Sequence, residues 1–292
     1  MSILSRIPRP LKYRLAKSAP TQVVQFVRYP RESLFVKGWC GFDSAGSSVF
    51  FFTTHKCASM LMSQVLATIN KKALGLAHLD LEAYLWDIDI DGQVPVHKLL
   101  SSRRLEYLRD NGILYAPLRR YVDLSHLKTS RQCLMLRDPR DVLVSDYYSA
   151  LYSHRPPVNS QRRAAFLARK RELSEITLDH YAISSAPAFE DRYREYRKYI
   201  SRDHAVTYEQ MWWNIDGFLC DLARIIGFDL TIELQEQLRG IVKFPSDGQE
   251  HISSHARKGV PGDHREKLKP ETISQLNEIF SESLHWLYGG ER

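Results

Sequence analysis

Twice in this chain a short apolar run suited to a buried strand leads through a polar loop into apolar residues at helical spacing. The first unit runs from Phe-rich Ser48–Thr53 into Ser59–Asn70, where Met60, Leu61, Val65, Leu66 and Ile69 suit a helix. The second runs from Gln132–Leu136 through Arg137–Asp141 into Val142–Leu151. Strands that alternate with helices imply a parallel sheet, and such sheets bind ligands beyond the carboxyl ends of their strands. The expectation is an α/β fold with a central parallel sheet flanked by helices, both loops facing one crevice.

Between the two units, short strands are expected near Leu74–His78 and Gly112–Ala116, with a helix near Ser101–Asp110. Further on, Ala164–Leu173, Phe189–Ile200 and Gly217–Ile226 read as helices, and Val206–Tyr208 as a strand end. A loop is expected over Gln249–Arg265 and one C-terminal helix over Pro270–Tyr288. The 292 residues allow one large core, so 48–292 is read as a single domain behind a basic lead-in, 1–47. Arg6–Lys17 within that lead-in is either a solvated amphipathic helix or an interfacial one.

The formal charge of +7 favours an anionic partner without saying which. No apolar run approaches the roughly 20 residues that span a bilayer, so no integral membrane segment is expected. Cys40, Cys57, Cys133 and Cys220 lie far apart without metal-site spacing, which reads as reduced thiols and a cytoplasmic setting, with no metal required.

Three loops carry the chemistry. In Thr53-Thr54-His55-Lys56-Cys57-Ala58-Ser59, a helix start offers unpaired backbone N–H groups to an anion and Lys56 adds a full charge. The alternative is a surface lysine in a turn. Cys57, beside Lys56 and a helix N-terminus, is expected to have a depressed pKa. In Arg137-Asp138-Pro139-Arg140-Asp141, Asp138 can cap and Pro139 can open a helix, leaving Arg137 at the strand tip and Ser145 about two turns on. Arg137 and Ser145 can share a phosphate; equally, Arg137 can pair with Asp141 or Asp146. In Arg257-Lys258-Gly259-Val260-Pro261-Gly262-Asp263, two cations precede a flexible glycine and can close over an anion, or simply be solvated.

Taken together and in this order, the three segments resemble the sulfotransferase family that uses 3′-phosphoadenosine 5′-phosphosulfate (PAPS), over about Val49 to Lys267. Thr54–Ser59 is similar to the family's Tyr-Pro-Lys-Ser-Gly-Thr loop, Arg137 and Ser145 to its 3′-phosphate pair, and Arg257–Asp263 to its Arg-Lys-Gly-x-x-Gly-Asp loop. The resemblance implies a P-loop-like α/β fold and a donor site built from His55, Lys56, Cys57, Ala58, Ser59, Met60, Arg137, Ser145, Arg257, Lys258 and Gly259. Tyr208 resembles the tyrosine that meets the adenine, and Phe244 stacks on its other side or belongs to the core. Ala58 replaces the loop's glycine, Leu61 stands where cytosolic members have a tryptophan, and His264 replaces the tryptophan after Gly-Asp. The dimer segment of the cytosolic branch is not found, so its assembly is not carried over.

Sulfuryl transfer asks the enzyme to align two groups and stabilise developing charge, which makes Lys56 the electrostatic catalyst. The acceptor hydroxyl or amine, on a small molecule or carbohydrate, needs a general base. The family's usual histidine is missing from Leu114–Leu118, and the candidates are His78, Asp80 and Glu82, which an extended segment would place on one face, with His55 as rival. All four could instead be solvated. The acceptor pocket is expected on the helices with Tyr147, Tyr148, His154, Arg155 and the Arg162–Tyr199 stretch. Rival classes are a kinase-like phosphoryl transferase, disfavoured because no Walker motif is present, and a nucleic-acid binder, for which no recognition motif is seen.

Overall fold

Alternation along one strand builds two cores at once. The computed structural model describes residues 26–38, 45–88, 108–153, 160–242 and 259–289. Strand β1 (Val49–Thr53) is buried along its whole length, as a central parallel strand covered on both faces must be. Val49 and Phe51 face one way, against Met62, Val65, Leu66 and Ile69 of helix α2 (Ser59–Ile69), while Phe50 and Phe52 face the other way, towards Tyr193 and Tyr196. Burying each such aromatic is worth about 1.5–3 kcal/mol.

After α1 (Pro30–Val36) and the β1–α2 unit come β2 (Ala77–Leu79), α3 (Leu81–Ile88), β3 (Ile113–Leu118) and β4 (Arg131–Leu136). Then follow α4 (Pro139–Tyr148), a π-helical turn (Ser149–Ser153), α5 (Ser160–Glu175), α6 (Leu178–Tyr199) and β5 (Ala205–Thr207). The chain continues through α7 (Tyr208–Trp213), α8 (Ile215–Ile226), α9 (Ile232–Ile241), α10 (His264–Lys267), α11 (Pro270–Ile279) and α12 (Ser281–Tyr288).

All strand pairs are parallel, in the order β2-β3-β1-β4-β5. From β1 the chain returns through α2 to β2 on one side; from β4 it passes to β5 on the other. The connections diverge between the carboxyl ends of β1 and β4, where an open parallel sheet binds its ligand. The register pairs Thr53 with Met135 and Leu136 with Thr207, so the segments beginning at Thr54, Arg137 and Tyr208 emerge side by side.

Three local expectations change. His78, Asp80 and Glu82 do not share an extended face, because β2 ends at Leu79 and α3 begins at Leu81. The expected C-terminal helix breaks into α11 and α12 at Phe280, whose backbone (φ −96°, ψ 13°) leaves the helical range while its ring is fully buried. The strand expected near Leu74–His78 is confined to Ala77–Leu79, and Leu74 instead ends a π-helical turn over Asn70–Leu74. Most of the helix expected over Ser101–Asp110 lies outside the described residues.

Candidate active site

The β1–α2 loop is held in an unusual backbone. Lys56 (φ 67°) and Ala58 (φ 54°) both occupy the left-handed region, which costs a non-glycine residue about 1–2 kcal/mol. Such strain persists where the surroundings over-determine it. Here Thr54 and Cys57 are buried on either side of Lys56, with Thr54 Oγ1 3.0 Å from Cys57 Sγ. Ala58 offers no side-chain cap to α2, so the positive end of an 11-residue helix faces the crevice. The Lys56 ammonium donates to Ser149 Oγ. Burial lowers its pKa, against which Asp146 pulls it up. His55 and Met60 are exposed, and Ser59 is half-buried.

Cys57 corrects an expectation. The thiol is fully buried among Val142, Val144 and Tyr181, and burial pushes its pKa up to about 11 despite the neighbouring Thr54 hydroxyl and Arg137. Loss of water outweighs the electropositive setting, leaving little thiolate at neutral pH.

The β4–α4 junction is built as its sequence suggests. Asp138 caps α4 by accepting from the Arg140 N–H at 3.0 Å, and Pro139 opens the helix. Arg137, buried at the strand tip, donates to Asp141 Oδ2 at 3.3 Å and stacks 4.4 Å over the Tyr208 ring. Of its two possible carboxylate partners, Asp141 is the one it meets. Its Nε remains buried without a hydrogen-bond partner, an orphan donor of the kind an anionic ligand satisfies. Ser145 is half-buried on the same helix.

Asp141 does more than pair with Arg137. Its carboxylate also accepts from the Gly262 N–H (2.7 Å), the His264 N–H (3.0 Å) and His264 Nδ1 (2.6 Å). Burial opposes the charge, yet the bonds from His264 and the Arg137 guanidinium hold this carboxyl far below the usual range. Tyr208 O–H in turn donates to the carbonyl of Gly259, whose φ of 72° suits glycine. The C-terminal loop is therefore fastened to the β4–α4 junction at both Gly259 and Gly262–His264. Tyr208 is 4% exposed, buried between Arg137 and that loop. Phe244, Arg257 and Lys258, like His154 and Arg155, lie outside the described residues.

The base candidates divide by role. His78 Nε2 lies 2.8 Å from the Ala116 carbonyl, which can only accept, so that nitrogen carries the proton. Asp80 caps the start of α3 by accepting from the Ala83 N–H at 2.9 Å. Glu82 accepts from the Arg119 N–H at 3.0 Å, where β3 ends beside β1. Burial raises its pKa, opposed by that backbone bond and by Arg119.

Several supports had no local signal. Tyr196 O–H donates to the Thr53 carbonyl (2.8 Å) and Tyr193 O–H to the Arg137 carbonyl (2.7 Å). Three residues apart on one face of α6, they tie the tips of β1 and β4 to a single helix. Asp146, also a turn before Ser149 on α4, accepts from Tyr181 O–H at 2.6 Å and acts electrostatically on Lys56.

Glu209 is buried and accepts from the Asp138 N–H at 2.9 Å, bracing the α4 cap from α7. Burial raises its pKa to about 7, opposed by the Asp138 N–H. The folded state then holds this proton more tightly than the unfolded chain. Its contribution to stability is fully present below pH 4.5 and is lost as pH rises towards 7, by about 1.4 kcal/mol for every tenfold difference in proton affinity. Glu209→Gln keeps the acceptor and removes the titration. Its melting temperature should exceed that of the parent at pH 8 by more than at pH 5; a difference independent of pH would contradict the assignment.

The profile of the sulfotransferase domain family matches residues 125–287, more than half of the chain, starting after the Lys56 loop. No curated protein sequence matches. Among solved structures, the chain is similar to mouse sulfotransferase SULT7A1 complexed with PAP (13% identity, 86% of this chain and 88% of that one, TM-score 0.48). It is also similar to retinol dehydratase in complex with androsterone and the inactive cofactor PAP (15% identity, 96% and 95%, TM-score 0.47).

Proposed function

The chain belongs to the sulfotransferase domain family, and from that premise we propose that it moves a sulfuryl group from PAPS to a hydroxyl or amine of a small-molecule or carbohydrate acceptor. The observation that carries this reading is the convergence at the β1/β4 crevice. Lys56 and the uncapped α2 start stand on one side, and the Arg137–Asp141–Gly262 cluster on the other. A donor with phosphates at two separated positions needs two such cradles.

The residues present fit that donor. Lys56 and the first N–H groups of α2 would hold the phosphosulfate, while Arg137, Ser145, Gly259 and, from the sequence resemblance, Arg257 and Lys258 would hold the 3′-phosphate. The unpartnered Arg137 Nε supports the second assignment. Tyr208 would meet the adenine through its edge, its face being covered by Arg137. PAPS supplies an activated sulfuryl group and leaves as PAP. The protein's part is to exclude water, place Lys56 where charge builds, and accept one proton from the acceptor. Glu82 takes that proton: burial raises its pKa, and it accepts from the N–H of Arg119, a residue that also acts electrostatically on Lys56.

Calorimetry tests the donor assignment. PAP should bind without metal at about 1 μM or tighter, roughly −8 kcal/mol, and ATP, lacking a 3′-phosphate, much more weakly. Equal affinity for the two nucleotides would sink it and favour a phosphoryl-transfer reading.

A further inference from the structure

Resting on that sulfotransfer reading, we propose that the acceptor enters on the β3 side of the crevice, beside Glu82, and is itself an anion, its carboxylate or sulfate ester held by Arg119 and Arg192. Sheet order sets the side. Strand β1 stands between β4, whose tip carries Arg137, and β3, whose tip carries Arg119 and Arg120. Leu118 pairs with Phe52, so Arg119 leaves the sheet beside Thr53, three residues before Lys56. The Arg119 N–H donates to Glu82 Oε1, the proposed proton acceptor, at 3.0 Å. A hydroxyl that meets both Glu82 and Lys56 therefore lies at the β3 tip, next to Arg119.

Helix α6 brings the second guanidinium. It crosses the strand tips in turn: Tyr193 O–H donates to the Arg137 carbonyl after β4, Tyr196 O–H to the Thr53 carbonyl of β1, and Tyr199 stacks 4.3 Å from Tyr121 beyond β3. Arg192, one turn before Tyr196, lies 4.9 Å over the Phe189 ring, close enough to Arg120 and Asp146 to feel both charges. Asp146 and Arg119 act in the same way on Lys56. Both guanidinium groups thus belong to the surroundings of the catalytic ammonium.

The protein leaves these two charges unanswered. Arg120 has Glu195 at 3.8 Å in a solvent-exposed pair. Among the described residues neither Arg119 nor Arg192 has a carboxylate within ion-pairing distance, and Nε of each is buried without a hydrogen-bond partner. The nearby carboxylates are engaged elsewhere, Glu82 by the Arg119 N–H and Asp146 by Tyr181 O–H at 2.6 Å. Burial and then Arg120 lower the pKa of Arg192 against the pull of Asp146, whereas Arg137, for all its burial, is raised by Asp141. A guanidinium whose own surroundings disfavour its charge gains most from an incoming anion. Two planar forks of N–H donors suit the paired oxygens of a carboxylate or sulfate ester, and a neutral acceptor would leave both buried Nε donors unsatisfied.

Sugars that differ in one substituent decide it. p-Nitrophenyl β-D-glucuronide, p-nitrophenyl β-D-glucoside 6-sulfate and p-nitrophenyl β-D-glucoside share aglycone and ring and carry a carboxylate, a sulfate ester or a neutral hydroxymethyl group. Titrated into the PAP-saturated protein, at least one anionic sugar should bind about tenfold more tightly than the glucoside, and the tighter of the two identifies the oxyanion. That preference should disappear in the doubly substituted Arg119→Gln, Arg192→Gln protein. It should persist in Lys71→Gln, Lys72→Gln, which removes two exposed cations beyond the far end of α2 and controls for the basic charge of the whole chain. Equal affinities for all three sugars, a preference that survives loss of the arginines or vanishes with the lysines, or no binding of any sugar at millimolar concentration would overturn the proposal. PAP titrations of the same samples report the donor site separately. Absent sugar discrimination with PAP binding intact overturns the arginine subsite alone, whereas failure of the parent protein to bind PAP overturns the sulfotransfer reading.

Discussion

Lys56→Ala is expected to cut turnover by a factor on the order of 10² to 10³ while weakening PAP only a few-fold. The asymmetry follows from when the charge appears. In the ground state the donor's negative charge is shared among many oxygens and several cradling N–H groups, so one ammonium contributes modestly to binding. As the bond to the leaving phosphate breaks, charge gathers on the bridging oxygen, and a largely desolvated ammonium there is worth far more. Burial lowers the Lys56 pKa, while Asp146 offsets part of that effect, which keeps the group available as a cation. Single-turnover kinetics with saturating donor, beside PAP calorimetry, separate the two effects. Near-normal turnover in the variant would remove Lys56 from the chemistry whatever happened to nucleotide binding.

Asp141→Asn should be the most damaging change outside the catalytic loop. One buried carboxylate accepts from Arg137, from two backbone N–H groups and from His264 Nδ1. An amide turns one acceptor oxygen into a donor and leaves the Arg137 guanidinium buried without its counter-charge. Breaking a buried pair in this way costs about 3–5 kcal/mol, a fall in melting temperature on the order of 10 °C for a chain of this size. Nucleotide binding should suffer selectively, since both halves of the proposed 3′-phosphate cradle hang on this carboxylate. PAP affinity should fall at least about tenfold, whereas adenosine 5′-phosphosulfate, which lacks the 3′-phosphate, should lose little. Because the pKa of Asp141 is depressed by folding, the parent should lose this stability as pH drops below the ordinary aspartate value, and the variant should not. A variant with unchanged melting temperature and unchanged PAP affinity would show that the loop is held by something else.

The local grammar of the chain was legible because its causes are local. Val49–Thr53 reads as a buried strand from its own composition, and Asp138-Pro139 announces a helix start through one cap and one fixed φ. Arg137 at a strand tip and Lys56 at a helix start follow from those boundaries alone, as does the expectation of a crevice between them. The Gly259–Gly262 segment was marked by its glycines, both of which adopt positive φ.

The rest lies across long sequence separations or depends on solvent exclusion. Asp141 meets His264 across 123 residues and Tyr196 meets Thr53 across 143, and neither partner carries a nearby signal of the other. The pKa of Cys57 rises where its neighbours alone suggested it would fall, and Glu209 titrates near neutrality. In each case the energy lost on leaving water exceeds the attraction of adjacent charges, and burial is a property of the packed whole. His78, Asp80 and Glu82 separate because the chain turns from strand to helix at Asp80, a turn held by the Glu32 carboxylate accepting from the Asp80 N–H across 48 residues. The chain by itself determined which residues could do chemistry. Which of them meet, and in what protonation state, was decided by contacts between distant segments, because charge and hydrogen bonding gain their strength only once water has been excluded around them.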